Sequence, residues 1–240
     1  MLNIKRVLLK ISGEALMGQQ THGLDAAIMA QIAADIKAVY ESGIEICVVV
    51  GGGNIFRGMN GVTYGINRST SDHMGMLATV MNGLALQSVL ENIGLETRVV
   101  SALRITGVCE PFIYRRALRH IQKGRIVIFT AGTGNPHFTT DTAASLRALE
   151  MNCDLLVKGT KVDGVYSADP FKYPDTQFYP QLTYRKVLDD NLRVMDGTAV
   201  ALAQENNLPL MVCSIQQPQS LVKALKGEGR YSLITTEINE

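Results

Sequence analysis

Short apolar runs recur along the chain at positions 7–11, 44–50, 95–100, 126–129, 154–157 and 209–213. They are continuous rather than alternating, so each reads as a buried strand. Stretches with helical spacing lie between most of them. Residues 25–41 carry Ile28, Ile32, Ile36 and Val39 on one stripe, behind Asp25, a good N-cap type. Residues 72–91, 112–123, 142–151 and 192–206 read as further helices. Strands alternating with helices predict an α/β class fold, a three-layer αβα sandwich with a mainly parallel open sheet. The helix at 72–91 carries Met74, Met76, Leu77, Val80, Met81, Leu84 and Leu90 on more than one face. Apolar all round implies burial, in the core or against a second subunit, where methionine adapts well.

Composition narrows the chemistry. A hydrophobic content of 46% supports a sizeable core, and the 240 residues suit one large α/β domain or two small ones. No internal repeat or low-complexity linker divides them. With 23 basic and 22 acidic residues the net charge is +1. Nothing supports a general nucleic-acid or membrane-surface role, so any phosphate recognition is local. Cys47, Cys109, Cys153 and Cys213 form no CxxC pair, and His22, His73, His120 and His137 show no HxxxH spacing. That argues against zinc and redox chemistry and for reduced, buried thiols in a cytoplasmic protein. Residues 1–6 lead straight into a strand without a signal-like apolar core, and no run reaches transmembrane length.

Four segments carry candidate chemistry. In the first, Ala131-Gly132-Thr133-Gly134-Asn135-Pro136-His137-Phe138-Thr139-Thr140-Asp141 joins a strand to a helix start. Backbone N–H groups and hydroxyls there suit an anion. Asp141, an acid among donors, fits if it orients a cation, a lysine or a sugar hydroxyl. In the second, Lys10 and Ser12 end the first strand before Gly13. Lys10 is either an edge-strand lysine reaching solvent or a cation aimed at a transferring phosphoryl group. The third, Gly51-Gly52-Gly53-Asn54-Ile55-Phe56-Arg57, is a flexible turn or a close backbone approach to phosphate, with Arg57 supplying charge. It opens the longest loop, residues 51–71. The fourth, residues 158–170, is a plain hairpin, or a nucleotide wall in which Tyr166 stacks on a base and Asp169 meets a ribose or metal. Beyond it, residues 163–184 read as irregular. All four follow the C-terminal ends of expected parallel strands, the ligand edge of an open α/β sheet. The chain has no GxxxxGK[ST], which excludes a P-loop kinase. Its GxGxxF at Gly51 is only a partial dinucleotide fingerprint.

KISGEAL at 10–16, VVVGGGNIFRG at 48–58, SDHMGMLATVMNGLAL at 71–86, AGTGNPHFTTDTAA at 131–144 and KVDGVYSADP at 161–170 resemble bacterial uridylate kinases, in the amino acid kinase superfamily. The similarity runs in order over nearly the whole chain. It implies a single amino acid kinase domain over 1–240, with the UMP site and subunit interface mainly N-terminal and the ATP site mainly C-terminal. It implies transfer of the ATP γ-phosphoryl group to UMP, with Mg²⁺ accompanying ATP. Lys10, Ile11, Ser12, Gly13, Gly53, Arg57, Thr160, Tyr166 and Asp169 would then bind ATP. Gly52, Asp72, Thr133, Gly134, Asn135, Pro136, His137, Phe138, Thr139 and Thr140 would hold UMP, with Asp72 on its ribose. Lys10, Arg57 and Asp141 would be the catalytic set, and Asp196 is either a further member or a helix N-cap.

The same resemblance implies a homohexamer, activation by GTP and inhibition by UTP. Gly18, Gln19, Gln20, Thr21, His22 and Gly23 match the position of the family's GTP-effector loop. His137 stands where the family commonly has Phe. Gln87 and Glu91 stand where relatives carry Arg and His implicated in GTP activation. Two other readings remain at this stage: a small-carboxylate kinase of the same fold, and a nucleotide-binding storage or regulatory protein without turnover.

Overall fold

The computed structural model describes residues 4–57, 65–173 and 175–237. Gly58 of the second motif, the rest of 58–64 and Pro174 lie outside the described residues. Strand β1 (Arg6–Ile11) lies between β2 (Glu45–Val50) and β6 (Leu155–Thr160), parallel to both. Outward from β2 follow β5 (Ile126–Thr130), β3 (Thr97–Ser101) and the short β4 (Glu110–Pro111), all parallel. Outward from β6 follow β10 (Leu210–Ser214), the antiparallel β11 (Tyr231–Thr235) and β9 (Gln181–Thr183), closing a nine-stranded sheet. A separate antiparallel pair joins β7 (Val165–Tyr166) to β8 (Phe178–Tyr179). This pair falls inside the stretch 163–184 that reads as irregular from sequence; residues 158–170 form no hairpin by themselves, since the partner strand lies at 178–179.

Helices cover both faces. One face carries α2 (Ala26–Glu41), α3 (Arg68–Asn92) and α8 (Ser220–Leu225), and α1 (Gly13–Leu16) packs at its edge. The other carries α4 (Tyr114–Gln122), α5 (Thr140–Glu150), α6 (Tyr184–Asp189) and α7 (Gly197–Glu205). Strand alternation deals side chains to the two cores. Val7, Leu9 and Ile11 enter the first core and Leu8 the second; Val48 enters the first, Cys47 and Val49 the second. The sheet is the expected three-layer arrangement, and Cys47, Cys153 and Cys213 are buried free thiols.

Caps explain where the observed helices depart from the expected limits. Asp25 caps α2 as expected, accepting from the amides of Ala27 and Ile28. Asn67 accepts from the Thr70 amide, so α3 begins at Arg68 rather than 72. Thr139 starts α5 at Thr140, and Asp196 starts α7 at Gly197 rather than 192. The short elements β4, β7, β8, β9, α1, α6 and α8 carry too few residues for a period to register. Strand β11 alternates buried and half-buried residues beside a parallel array.

Of the two expectations for this helix, burial in the core alone does not hold. Met76, Val80 and Leu90 are buried, but Met74, Leu77 and Met81 are 37%, 50% and 57% exposed. They form one outward stripe, so core burial does not account for them.

Gly83 is where α3 touches the sheet. A methyl added there would lie 2.4 Å from Thr130 Cγ2. Gly83→Ala is expected to destabilise the chain by about 1–3 kcal/mol through overpacking, read as a lower urea midpoint with unchanged m-value.

Candidate active site

Register and alternation assemble the centre of the site. Lys10 follows Leu8 by two residues and therefore points to the α5 face of the sheet. In the parallel ladder Lys10 is paired with Lys158, so the two ammonium groups end side by side on that face. The first turn of α5 delivers Asp141 between them. Its Oδ1 lies 2.6 Å from Lys10 Nζ, and its Oδ2 accepts a 2.8 Å hydrogen bond from Lys158 Nζ. Lys158 also donates to the Val194 carbonyl. The side chains of Lys10 and Asp141 are 7% and 13% exposed, so these charges are held in poor contact with water.

Burial alone would raise the Asp141 carboxyl, but the charges of Lys10 and Lys158 outweigh it and hold the group below its usual range. Burial lowers Lys158, and Asp141 only partly offsets this. Asp141 gains further from its place in the first turn of α5, where the helix dipole favours an anion. Asp196 locks that turn. It accepts from Thr139 Oγ1 at 2.5 Å and from Thr142 Oγ1 at 2.9 Å, and caps α7 through the Ala199 amide at 2.9 Å. The N-cap reading of Asp196 holds, and the same carboxylate joins α5 to α7.

Two glycine turns face one another across β1 and β2. The Gly51 amide donates to the Ile11 carbonyl at 2.8 Å. A Cβ on Gly13 would sit 2.6 Å from the Gly53 nitrogen, so only glycine permits this backbone approach. Gly52 is equally close to α3, with the Gly75 carbonyl 2.8 Å from a built Cβ. Ser12 is spent on capping α1 through the Ala15 amide. Arg57 is about half exposed and ion-paired with Glu14 of α1, so an incoming phosphate would have to draw it away.

The segment at 131–140 is a folded loop. Ala131 and His137 take left-handed backbone, with φ of 60° and 71°. Histidine is one of the few non-glycine residues that accepts this region readily, which gives His137 a backbone rationale. Its amide donates to Asp72 Oδ2 at 2.8 Å, while Arg68 Nε holds Asp72 Oδ1 at 2.8 Å. Burial would raise the Asp72 carboxyl; the His137 amide and Arg68 prevail and lower it. Asp72 thus ties the loop to α3 and reaches any ribose only from that position. Thr133 and Asn135 close a small turn, Thr139 caps α5, and Phe138 is 47% exposed.

On the β6 side lies a cavity of 860 Å³ lined by Glu14, Lys158, Thr160, Tyr166, Asp169 and Val212, among others. A second, of 520 Å³, shares Val162, Tyr166, Pro170 and Phe171 with it and extends to Lys223 and Arg230. Tyr166 donates to Asp163 Oδ1 at 2.5 Å, and Arg230 covers the Phe178 ring at 4.2 Å. Neither cavity is lined by residues 133–140. The 18–23 loop stands apart from both cavities; its Gly23 amide donates to the Asn54 carbonyl. Gln87 donates to Glu91 and to the Thr97 carbonyl.

Lys158 is the residue that sequence reasoning passed over. Its signal was the one that singled out Lys10: a lysine closing an apolar strand. Among the described residues no group of three His, Cys, Asp or Glu side chains gathers as a metal cage, and Asp141 already faces two ammonium groups. A magnesium ion fits only as the companion of a nucleotide's phosphates.

The chain that builds this arrangement matches the amino acid kinase family model over residues 5–214. A uridylate kinase of Erythrobacter litoralis is 55% identical over 231 residues, spanning 96% of this chain and 97% of its own. The UMP kinase structure from Bacillus anthracis superposes with a TM-score of 0.94 at 38% identity, covering 98% of this chain and 97% of that one. The one from Ureaplasma parvum gives 0.92 at 36%, covering 97% and 99%. The chain belongs to the amino acid kinase family and is a kinase.

Asp141→Asn leaves two buried ammonium groups without their counter-charge. It is expected to cost about 3–5 kcal/mol in stability, measured by denaturant titration. In the wild type the Asp141 contribution is full above the ordinary carboxylate pKa of about 4. It is lost as pH falls through the depressed folded-state value. The acid limb of a Tm-against-pH curve should therefore shrink in the variant.

Proposed function

We propose that the chain is a uridylate kinase, which transfers the γ-phosphoryl group of ATP to UMP and yields UDP and ADP for pyrimidine nucleotide biosynthesis. The observation that carries this reading is the Lys10–Asp141–Lys158 cluster. It stands between a cavity large enough for a nucleotide and a separate donor-rich loop on the other side. Near-full-length similarity to proteins named uridylate kinase chooses the acceptor within the family.

The chemistry suits these residues. An acceptor phosphate is already largely ionised at neutral pH, with a second pKa of about 6, so the reaction needs no general base. What it needs is alignment of two anionic groups and neutralisation of the charge between them. Lys10 and Lys158 present two cations whose positions are fixed by β1, β6 and Asp141. Asp141 acts by holding both lysines, so that neither must reorganise when the charge shifts. The turns at Ser12–Gly13 and Gly52–Gly53 offer backbone amides to the phosphates, and Arg57 changes partner from Glu14 to the nucleotide. Tyr166 and Asp169 line the donor cavity, and Asp72 with Thr133–Thr140 forms the acceptor side. Magnesium, carried in with ATP, would supply further screening of the phosphate charge beside that of Lys10 and Lys158.

The N-terminal part of the single domain then serves mainly UMP and the C-terminal part mainly ATP. The outward stripe of Met74, Leu77 and Met81 supports a subunit contact, within a hexamer by family resemblance. Activation by GTP and inhibition by UTP rest on that resemblance too, with Gln87 and Glu91 bonded to each other where the relatives are cationic. A cytoplasmic place rests on the same resemblance; the described residues contain no helix long and apolar enough to cross a membrane.

A coupled assay of the purified chain with UMP, CMP, dUMP and acetylglutamate, with and without GTP, is expected to give ADP release fastest with UMP. No UDP at any combination of ATP, GTP and magnesium would sink the reading. Lys10→Ala and Lys158→Ala should each lower kcat by about 10²–10³-fold, the scale of losing one preorganised donor. Arg57→Ala should lower kcat/KM strongly.

A further inference from the structure

Two uncharged side chains that line neither cavity sit between the glycine turns. Asn54 and Asn82 are 3% and 0% exposed. Buried amides are tolerated when their donors and acceptors are used, and here the inventory closes. Asn82 Nδ2 donates to the Gly51 carbonyl at 2.6 Å and to Asn54 Oδ1 at 2.7 Å. Asn54 Nδ2 donates to the Gly23 carbonyl at 2.8 Å and to Asn82 Oδ1 at 3.1 Å. The Asn54 carbonyl accepts from the Gly23 amide at 2.9 Å.

Asn82 stands on the helix α3 and Asn54 in the turn after β2, and together they touch three pieces of irregular backbone. One is the β2 turn, through Gly51. Another is the β1 turn, since a Cβ on Gly13 would lie 2.6 Å from Asn54 Oδ1. The third is the 18–23 loop, through both polar groups of Gly23. A core that needed only filling would be served by two apolar side chains of this size, with no call on the Gly51 and Gly23 carbonyls. The polar pair adds fixed direction. Its bonds fix Asn54 Oδ1 in the place where it packs against Gly13, and so limit how the Gly13 turn can stand against the Gly53 turn.

We propose that Asn54 and Asn82 are positioning residues for phosphoryl transfer, holding the two glycine turns in register and tethering the 18–23 loop to them. Movement of that loop is then transmitted to the backbone amides that face the phosphates. This rests on the kinase reading of the same site.

The test uses the full chain with three variants, Asn54→Leu/Asn82→Leu together, Asn82→Asp, and Asn54→Ser as a milder change if the others fail to fold. The double variant keeps the volume and removes every side-chain tie, leaving only the main-chain bond from the Gly23 amide to the Asn54 carbonyl. Because the Gly51 and Gly23 carbonyls lose their donors, its Tm is expected to fall by several degrees while the chain stays folded at assay temperature, with the KM for both nucleotides within about threefold. Its kcat should fall by about 10²-fold, the scale of a small misalignment of reacting groups. Hydrogen exchange should accelerate in peptides spanning 18–24 and 50–57. A folded variant with wild-type kcat and wild-type exchange overturns the proposal. So does a kcat loss that only tracks unfolding, with exchange rising evenly over the chain. If the wild type itself does not turn over, the kinase reading fails separately, and the exchange pattern still decides whether the pair holds the turns.

Discussion

One carboxylate shared by two buried ammonium groups is the constraint on which the site depends. Lys10 and Lys158 lie in register on adjacent central strands and face the same side of the sheet. Left alone they would repel, and the strand ends would be a liability rather than a site. Asp141 resolves this, and to do so α5 must begin where it does. The cap at Thr139, its bond to Asp196 and the start of α7 are all downstream of that requirement. Two helices and two strands are thus fixed by one charge arrangement, and a cationic centre of defined geometry results.

Strand order places this centre between two different environments. From β1 the chain builds outward through β2, β5 and β3 on one side and through β6 and β10 on the other. Crevices at such reversals are where open α/β sheets hold ligands. The side holding β6 has the cavities and the aromatic hairpin, and the side holding β2 and β5 has the folded hydroxyl-rich loop. Glycines let these halves meet, since Gly13 and Gly53 approach more closely than any side chain allows.

Much of this was legible in the sequence. The continuous apolar runs named the parallel strands correctly, because strands buried on both faces leave that mark. Lys10 stood out because a charge in an apolar strand needs a partner, and Asp141 because it is an acid among donors. Lys158 carried the same local mark as Lys10, but its place beside Lys10 is not written locally: only the pairing of β1 with β6 sets it there. Asp72 was assigned to a ribose, while its bonds to Arg68 and the His137 amide depend on how α3 meets a distant loop. The stripe at Met74, Leu77 and Met81 was invisible as a stripe because its apolar residues merge with the buried ones around it. Asn54 and Asn82 carried no signal, for amides are ordinary in loops and helices until their burial is known.

The lysine cluster has an arithmetic consequence. Lys10, Lys158 and Asp141 by themselves carry a charge of +1, which Asp196 offsets in part at Lys158, and they stand among backbone amides that also favour anions. An anion held by this centre binds the folded chain and not the unfolded one, so substrate contributes to the folding free energy of the protein that acts on it.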